Sequence, residues 1–309
     1  MVGFFIFVPQ MSKKVIAHIL LFLVNLFYGA GFIVSKSVMP SYIQPQGFIM
    51  IRVVVTVFFF FLVSHFWIRE KIEKKDWLLL FACAIFGVVA NQELFFAGLA
   101  ITTPINAALI MIMTPILVFV ISFFAKMEKL TPYKLVGLFL GTAGAFIILR
   151  GKGFSFSNST FLGDLFVLLN ATSYAIYLVI VRPLMRKYHP ITVIKWVFLI
   201  GVPFTVLFGY NQFTQIQWQS FSLSVWMAVF FVVFFTTFCA YLFNIIALRE
   251  VPSTVVGAYI YLQPILATII ATFLGKDTLT TPKTIAAAFI FIGVYLVSFT
   301  QNKPILQKT

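Results

Sequence analysis

The chain has 309 residues, of which 61% are hydrophobic and 10% charged, with a mean hydropathy of +1.05. A soluble domain is nearer half apolar and a quarter charged. The composition therefore excludes a disordered chain, argues against a soluble enzyme, whose surface would carry large apolar patches, and describes an integral membrane protein. The net charge of +14 comes from basic residues in short segments between apolar runs, so it reads as membrane topology and not as a nucleic-acid surface.

A helix needs about 20 mostly apolar residues to cross a bilayer. Ten such runs are predicted, at 15–35, 46–66, 77–98, 103–124, 133–149, 161–181, 192–210, 222–246, 252–274 and 283–300. A tail at 1–13 precedes them and another at 302–309 follows; residues 1–10 are a loose apolar stretch ahead of Met11. The first run is too long for a signal-peptide core and lacks a small-residue cleavage site, so it is kept as a helix. Ten crossings place both termini on one side. With the N-terminus cytoplasmic, the segments on that side hold sixteen Lys and Arg and the opposite side holds five, with Arg52 left inside a run. That bias sets the orientation. Trp67, Trp77, Trp196, Trp218 and Trp226 fall near run ends, where the amphipathic ring prefers to sit. The forty phenylalanines read as lipid-facing bulk. Cys83 and Cys239 lie in apolar runs and the three histidines are scattered, so no metal, no cofactor and no disulfide framework is expected.

The two halves of the chain match. Displaced by 149 positions, residues 103–148 fall on 252–297 without a gap: Pro115-Ile116-Leu117 on Pro264-Ile265-Leu266, Phe124 on Phe273, Glu128 on Asp277, Lys134 on Lys283 and Gly144 on Gly293. An earlier stretch matches at 146, with Tyr28 on Tyr174, Lys36 on Arg182 and Met39 on Met185. The unit is five helices, spanning 14–150 and then 160–301. Because five is odd, the second copy enters the membrane upside down, which is the inverted repeat recurrent in secondary transporters. The expected fold is an all-α membrane protein of ten helices in two such repeats.

The segments GLAITTPINAALIMIMTPILVFVISFFAKMEKLT and ALREVPSTVVGAYIYLQPILATIIATFLGKDTLT, with LGDLFVLLNATSYAIYLVIVR at the start of the second half, resemble the drug/metabolite transporter superfamily, EamA type. The resemblance covers roughly 14–300. It implies a central cavity lined mainly by helices 1, 3, 4, 6, 8 and 9, and substrates drawn from amino acids, other metabolites and toxic compounds.

Ionisable groups within a membrane are costly and face the bundle interior. Arg52 and Glu93 both lie roughly 8–10 Å below the same surface at 1.5 Å per residue, so an ion pair between them is expected. Glu93 is the candidate coupling carboxylate, with Arg52 modulating it; the alternative is a structural lock between helices 2 and 3. Asp164 opens helix 6 and suits the helix dipole, and His18 and His65 read as interfacial. Pro115 and Pro264 should kink helices 4 and 9 and free carbonyls that must face protein or a wet cavity. Asn106, Ile110, Met113, Thr114 and Leu117 share one face of helix 4; Val255, Tyr259, Leu262, Gln263 and Leu266 form the equivalent face of helix 9. With Asn25 and Tyr28 on helix 1, Asn91 on helix 3, Asn170, Tyr174 and Tyr177 on helix 6, and Tyr241 on helix 8 beside Asn244, the candidate substrate surround is Asn25, Tyr28, Asn91, Asn106, Thr114, Asn170, Tyr174, Tyr177, Tyr241, Tyr259 and Gln263. Gly137, Gly141 and Gly144, mirrored by Ala286, Ala287 and Gly293, read as close helix packing.

The function expected is secondary transport: export of amino acids or related small metabolites across a bacterial inner membrane, by a monomer or homodimer whose other partner is lipid. A carrier of phosphorylated sugars or nucleotide-sugars would need more cations near the midplane than Arg52. A non-transport membrane protein with enzymatic activity would need a clustered acid–base or nucleophile set.

Overall fold

The structure is a computed structural model that describes residues 12–68, 70–102, 107, 110–150, 161–273, 275 and 280–299. The two predicted tails lie almost wholly outside these residues. The described chain is helical throughout, and we number its helices α1 to α10. Helix α1 is Lys13–Val38 and α2 is Pro45–Trp67. Helix α3 runs through Trp77–Ala84, a π-helical stretch Ile85–Val89 and Ala90–Ile101. Helix α4 is Thr114–Phe124 and α5 is Pro132–Arg150. Helix α6, Phe161–Ile180, continues past Val181 into Arg182–Lys187, and α7 is Pro190–Thr214. Helix α8 joins Leu223–Phe231, a π-helical stretch Val232–Cys239 and Ala240–Glu250. Helix α9 joins Ser253–Ala258, a 3₁₀ turn Tyr259–Tyr261 and Leu262–Phe273, and α10 is Thr281–Phe299.

Starts are encoded locally. The Ser12 and Ser222 hydroxyls accept from the amides of Val15 and Val225 at 3.3 and 3.4 Å, as N-cap residues do. Pro45, Pro132 and Pro190 occupy first-turn positions, where a missing N–H costs nothing.

Eight of these helices are long and apolar enough to cross a membrane; Thr114–Phe124 and Pro132–Ile148 are shorter. The fourth predicted span is thus interrupted. Residues 103–106, 108 and 109 lie outside the described residues, and a turn at Ile112-Met113 precedes Pro115. The phenylalanines divide instead of forming uniform lipid-facing bulk: Phe58, Phe124, Phe139 and Phe273 are exposed, while Phe48, Phe60 and Phe198 are fully buried.

The pairings repeat themselves. Helix α3 packs on α6 and α8 on α1; α4 packs on α6 and α9 on α1; α3 packs on α7 and α8 on α2; α2 pairs with α7 and α5 with α10. Exchanging each helix for the one five places on leaves this set unchanged, as a pseudo-twofold between the halves requires. The π-helical stretch of α3, displaced by 149, falls inside that of α8.

The α5–α10 seam is a backbone contact. A Cβ on Gly137 would lie 2.7 Å from the Gly293 carbonyl oxygen, one on Gly293 would lie 2.6 Å from that of Gly137, and one on Gly144 would lie 2.6 Å from that of Ala286. Backbone cannot retreat as a side-chain tip can, so Gly293→Val should lower the thermal unfolding midpoint of the purified protein, at a cost of about 1–3 kcal/mol or more. Gly275→Ala is the control at an open position, where nothing meets a Cβ and only its positive φ adds strain; the seam reading requires Gly293→Val to be the worse of the two.

Candidate functional site: a central cavity between the repeats

A cavity of about 790 Å³ lies between the two halves. At one end it reaches the exposed residues Pro40 and Gln44 of the α1–α2 connection and the ends of α2 and α7, at Gln46 and Gln212. We call this the mouth. Gln46 and Gln212 are bonded to each other there: the Gln212 amide donates to Gln46 Oε1 at 3.1 Å, and Gln212 Oε1 accepts from the Gln46 and Gly47 amides at 2.8 and 3.1 Å. Below them the wall is Asn25 and Tyr28 of α1, Asn91, Gln92 and Phe96 of α3, Met111 ahead of α4, Asn170 and Tyr174 of α6, Tyr241 and Asn244 of α8, and Ile260 and Gln263 of α9. Helices 1, 3, 6, 8 and 9 therefore contribute as the family resemblance implied, and the predicted fourth span does so through Ala107 and Met111, ahead of α4. Helices α2 and α7 contribute as well, through Gln46, Arg52 and Gln212.

Irregular backbone shapes this wall. Pro115 has no N–H to give the Met111 carbonyl, and Pro264 none to give that of Ile260; Met111 and Ile260 are repeat equivalents and both border the cavity. The π-helical carbonyls find side-chain donors instead. The Ser173 hydroxyl donates to the Phe86 carbonyl at 2.8 Å and Tyr241 to that of Gly87 at 3.2 Å. Thr236 and Thr237 both donate to the Val232 carbonyl, at 2.6 and 3.0 Å.

The amides form a lattice across the repeats. Gln263 donates to Asn25 Oδ1 at 2.9 Å, and Asn25 to the Leu21 carbonyl at 2.7 Å. The Asn170 amide donates to the Asn91 carbonyl, Tyr241 to Asn91 Oδ1 at 3.4 Å and Asn244 to Tyr174 at 3.2 Å. Both amide atoms of Gln92 and the Oδ1 of Asn170 are buried without a protein partner.

Several expectations need correction. Arg52 and Glu93 share a depth but form no ion pair. The Arg52 Nε donates to Thr237 of α8 at 3.0 Å, and its guanidinium lies 5.8 Å from the Phe96 ring centroid. Glu93 lies by the Gln46 side chain instead. Tyr177 is buried, with its ring in the space a Cβ on Gly87 would need. Thr114 is fully buried, its hydroxyl without a partner, and Tyr259 turns away to His18, 2.8 Å from its Nδ1. None of these three borders the cavity. His18 is therefore a link between α1 and α9 and not merely interfacial. Asn106 lies outside the described residues.

The end opposite the mouth is sealed, and the main seal is one the sequence reading passed over. Glu128, in the α4–α5 connection, is buried; it accepts from Lys134 Nζ at 2.7 Å and from the Thr254 amide at 3.1 Å, with Arg182 at 4.0 Å. One carboxylate thus ties the first repeat to α6 and α9 of the second. Its sequence signal is the match of Glu128 to Asp277 and of Lys134 to Lys283, which says that both positions recur and not that they pair. Between the end of α6 and the α2–α3 connection, Lys187 bridges Glu73 and Asp76 at 2.7 and 2.5 Å. The hydrogen bonds from Lys187 and then Lys75 hold the Glu73 carboxyl below the usual carboxylate range.

Removing one partner of a buried pair strands the other charge, at about 3–5 kcal/mol. Glu128→Gln should lower the unfolding midpoint markedly, and Glu128→Gln with Lys134→Met should recover part of the loss. A double variant as unstable as the single would show that the pair itself is not what Glu128 contributes.

Known proteins agree with this architecture. The model of the EamA-like transporter family matches residues 15–150 and 161–299. The chain is 23% identical to the uncharacterized transporter YyaM of Bacillus subtilis, over 93% of this chain and 94% of the relative. It is 26% identical to an uncharacterized transporter of Archaeoglobus fulgidus, over 93% and 98%. A WAT1-related protein of Arabidopsis thaliana is 22% identical over 87% and 76%. A protein of known crystal structure, 19% identical, superposes with a TM-score of 0.76 over 92% of this chain and 96% of its own; at that identity the likeness speaks for the fold alone.

Proposed function

The chain belongs to the EamA-like transporter family, and from that premise we propose that it is a secondary transporter working by alternating access, exporting amino acids or related small metabolites. The observation that carries this reading is the cavity: it lies between the repeats, is lined by both, and reaches one end of the bundle while Glu128 closes the other. Mirrored helix pairs mean that an exchange of roles between the halves would produce a cavity reaching the opposite end. The breaks ahead of Pro115 and Pro264 are the places where α4 and α9 would bend. With the basic segments cytoplasmic, the mouth is the outer side of a bacterial inner membrane, and both termini are inside.

In this reading Asn25, Tyr28, Asn91, Asn170, Tyr174, Tyr241 and Gln263 surround the substrate. A few placed polar groups in a mostly apolar wall suit a small amphipathic solute. A carrier of phosphorylated sugars is disfavoured, because Arg52 is the one cation among the described lining residues.

Proteoliposomes holding the purified protein should take up members of a labelled amino-acid and metabolite mixture with saturation. Met111→Trp, which fills the cavity, should abolish uptake with little change in unfolding midpoint. Non-saturating uptake, or full activity in Met111→Trp, would defeat the proposal.

Glu93 is our candidate for proton coupling, since it reaches Gln46 at the mouth and keeps one carboxyl oxygen without a hydrogen-bond partner. Glu93→Gln should carry solute at a rate indifferent to an imposed proton gradient to which the parent responds. Equal response in both would remove Glu93 from the coupling role.

A further inference from the structure

The charge of the cavity is one-sided. Arg52 is 9% exposed, and among the described lining residues it is the only ionisable group apart from tyrosines and has no carboxylate beside it. Its Nε is held by Thr237, whose own hydroxyl goes on to the Val232 carbonyl. A short relay thus anchors the guanidinium to the π-helical stretch of α8 and fixes its plane. Neither Nη atom has a hydrogen-bond partner among the described residues, and neither is a buried orphan, so the fork opens on the cavity. Phe96 covers one side of it, and Tyr28 lies nearby on the same wall.

A guanidinium half-sunk in an apolar wall, with its Nη atoms facing a confined cavity, gains from an anion that completes its hydrogen bonds. Two parallel N–H groups on a fixed plane fit a carboxylate in two-point geometry. Phe96 lies beside the guanidinium, and Phe95, Tyr174 and Met111 belong to the same cavity wall, which suits an apolar or aromatic body. Gln92, 4% exposed with both amide atoms unpartnered, offers a donor and an acceptor to a neutral polar group. An ammonium group finds no carboxylate in the described wall.

We propose that the cavity selects amphipathic organic anions, a carboxylate held by Arg52 with its apolar body against Phe95 and Phe96, over zwitterions and cations of the same shape. The proposal rests on the transporter reading and narrows its cargo from amino acids, which are zwitterions, to related metabolites with a carboxylate and no ammonium; charge selection is a property of binding and is measured apart from flux.

The probes are four compounds of one shape: N-acetylphenylalanine (anion), phenylalanine (zwitterion), phenylalanine amide (cation) and N-acetylphenylalanine amide (neutral). Binding to the full chain in detergent is measured by calorimetry, and uptake by proteoliposomes in parallel. The anion should bind about tenfold or more tighter than the zwitterion, and the cation weakest. Arg52→Gln should bring the anion down to the level of the neutral compound while leaving the neutral compound's binding unchanged. Should Arg52→Gln not fold, Arg52→Lys keeps the charge but loses the planar fork, and should keep the order while narrowing it. Equal binding of the four, preference for the cation, no binding of any, or an anion preference undiminished in the variant that folds would each overturn the proposal. Anion binding without uptake would instead overturn the transporter reading and leave the charge selection standing.

Discussion

A lipid bilayer offers no water to a broken helix, so every stretch of backbone that leaves the α-helical ladder must be satisfied from within the protein or face a wet interior. This chain breaks the ladder in four of its helices, at mirrored places: π-helical stretches in α3 and α8, and interruptions ahead of Pro115 and Pro264. Three of the four border the cavity between the halves, through Met111, Thr236 and Ile260; the fourth, in α3, is bonded by Ser173 and Tyr241 of the second half. The hydroxyls of Ser173, Tyr241, Thr236 and Thr237 are spent on π-helical carbonyls. Met111 and Ile260, which lose a donor to proline, border the cavity. The need to hide irregular backbone and the need for a polar chamber are met by the same residues. Arg52 depends on this arrangement too, because the threonine that holds it is one of those caps.

The pseudo-twofold is close in backbone and loose in chemistry. Pairs of helices exchange cleanly, yet the two ends of the bundle differ. At one end Glu128 gathers Lys134, the Thr254 amide and Arg182; at the other, a glutamine pair stands at the mouth. The halves thus share an arrangement of helices without sharing its bonds.

The sequence made the helices, the repeat and most of the chamber legible, because hydropathy and internal matching report burial and position directly. Asn25, Tyr28, Asn91, Asn170, Tyr174, Tyr241 and Gln263 could be placed on the cavity because polar residues in an apolar run turn inward, away from lipid. What failed was direction around a helix axis. Arg52 and Glu93 lie at one depth, but depth says nothing of azimuth, and Phe96, one turn along α3, meets the guanidinium instead. Tyr174 and Tyr177 lie three residues apart with ring centroids 6.1 Å from each other. Only Tyr174 reaches the cavity, because the missing side chain of Gly87 makes a slot for Tyr177. No periodicity announces a π-helical stretch, so the hydroxyls that cap those stretches could not be told from hydroxyls offered to a ligand. Glu128 was visible only as one half of a match between the repeats.

The α5–α10 seam has a consequence of its own. Its glycines bring two backbones into contact, and neither helix is among the described residues of the cavity wall. Selection on what the chamber holds and selection on how the bundle stays assembled therefore act on separate parts of the chain. Lineages descended from such a protein could exchange the amides and aromatics of α1, α3, α6, α8 and α9 freely, acquiring new cargoes, while the glycine crossing stays put. A fold divided in this way can diversify its contents without renegotiating its frame.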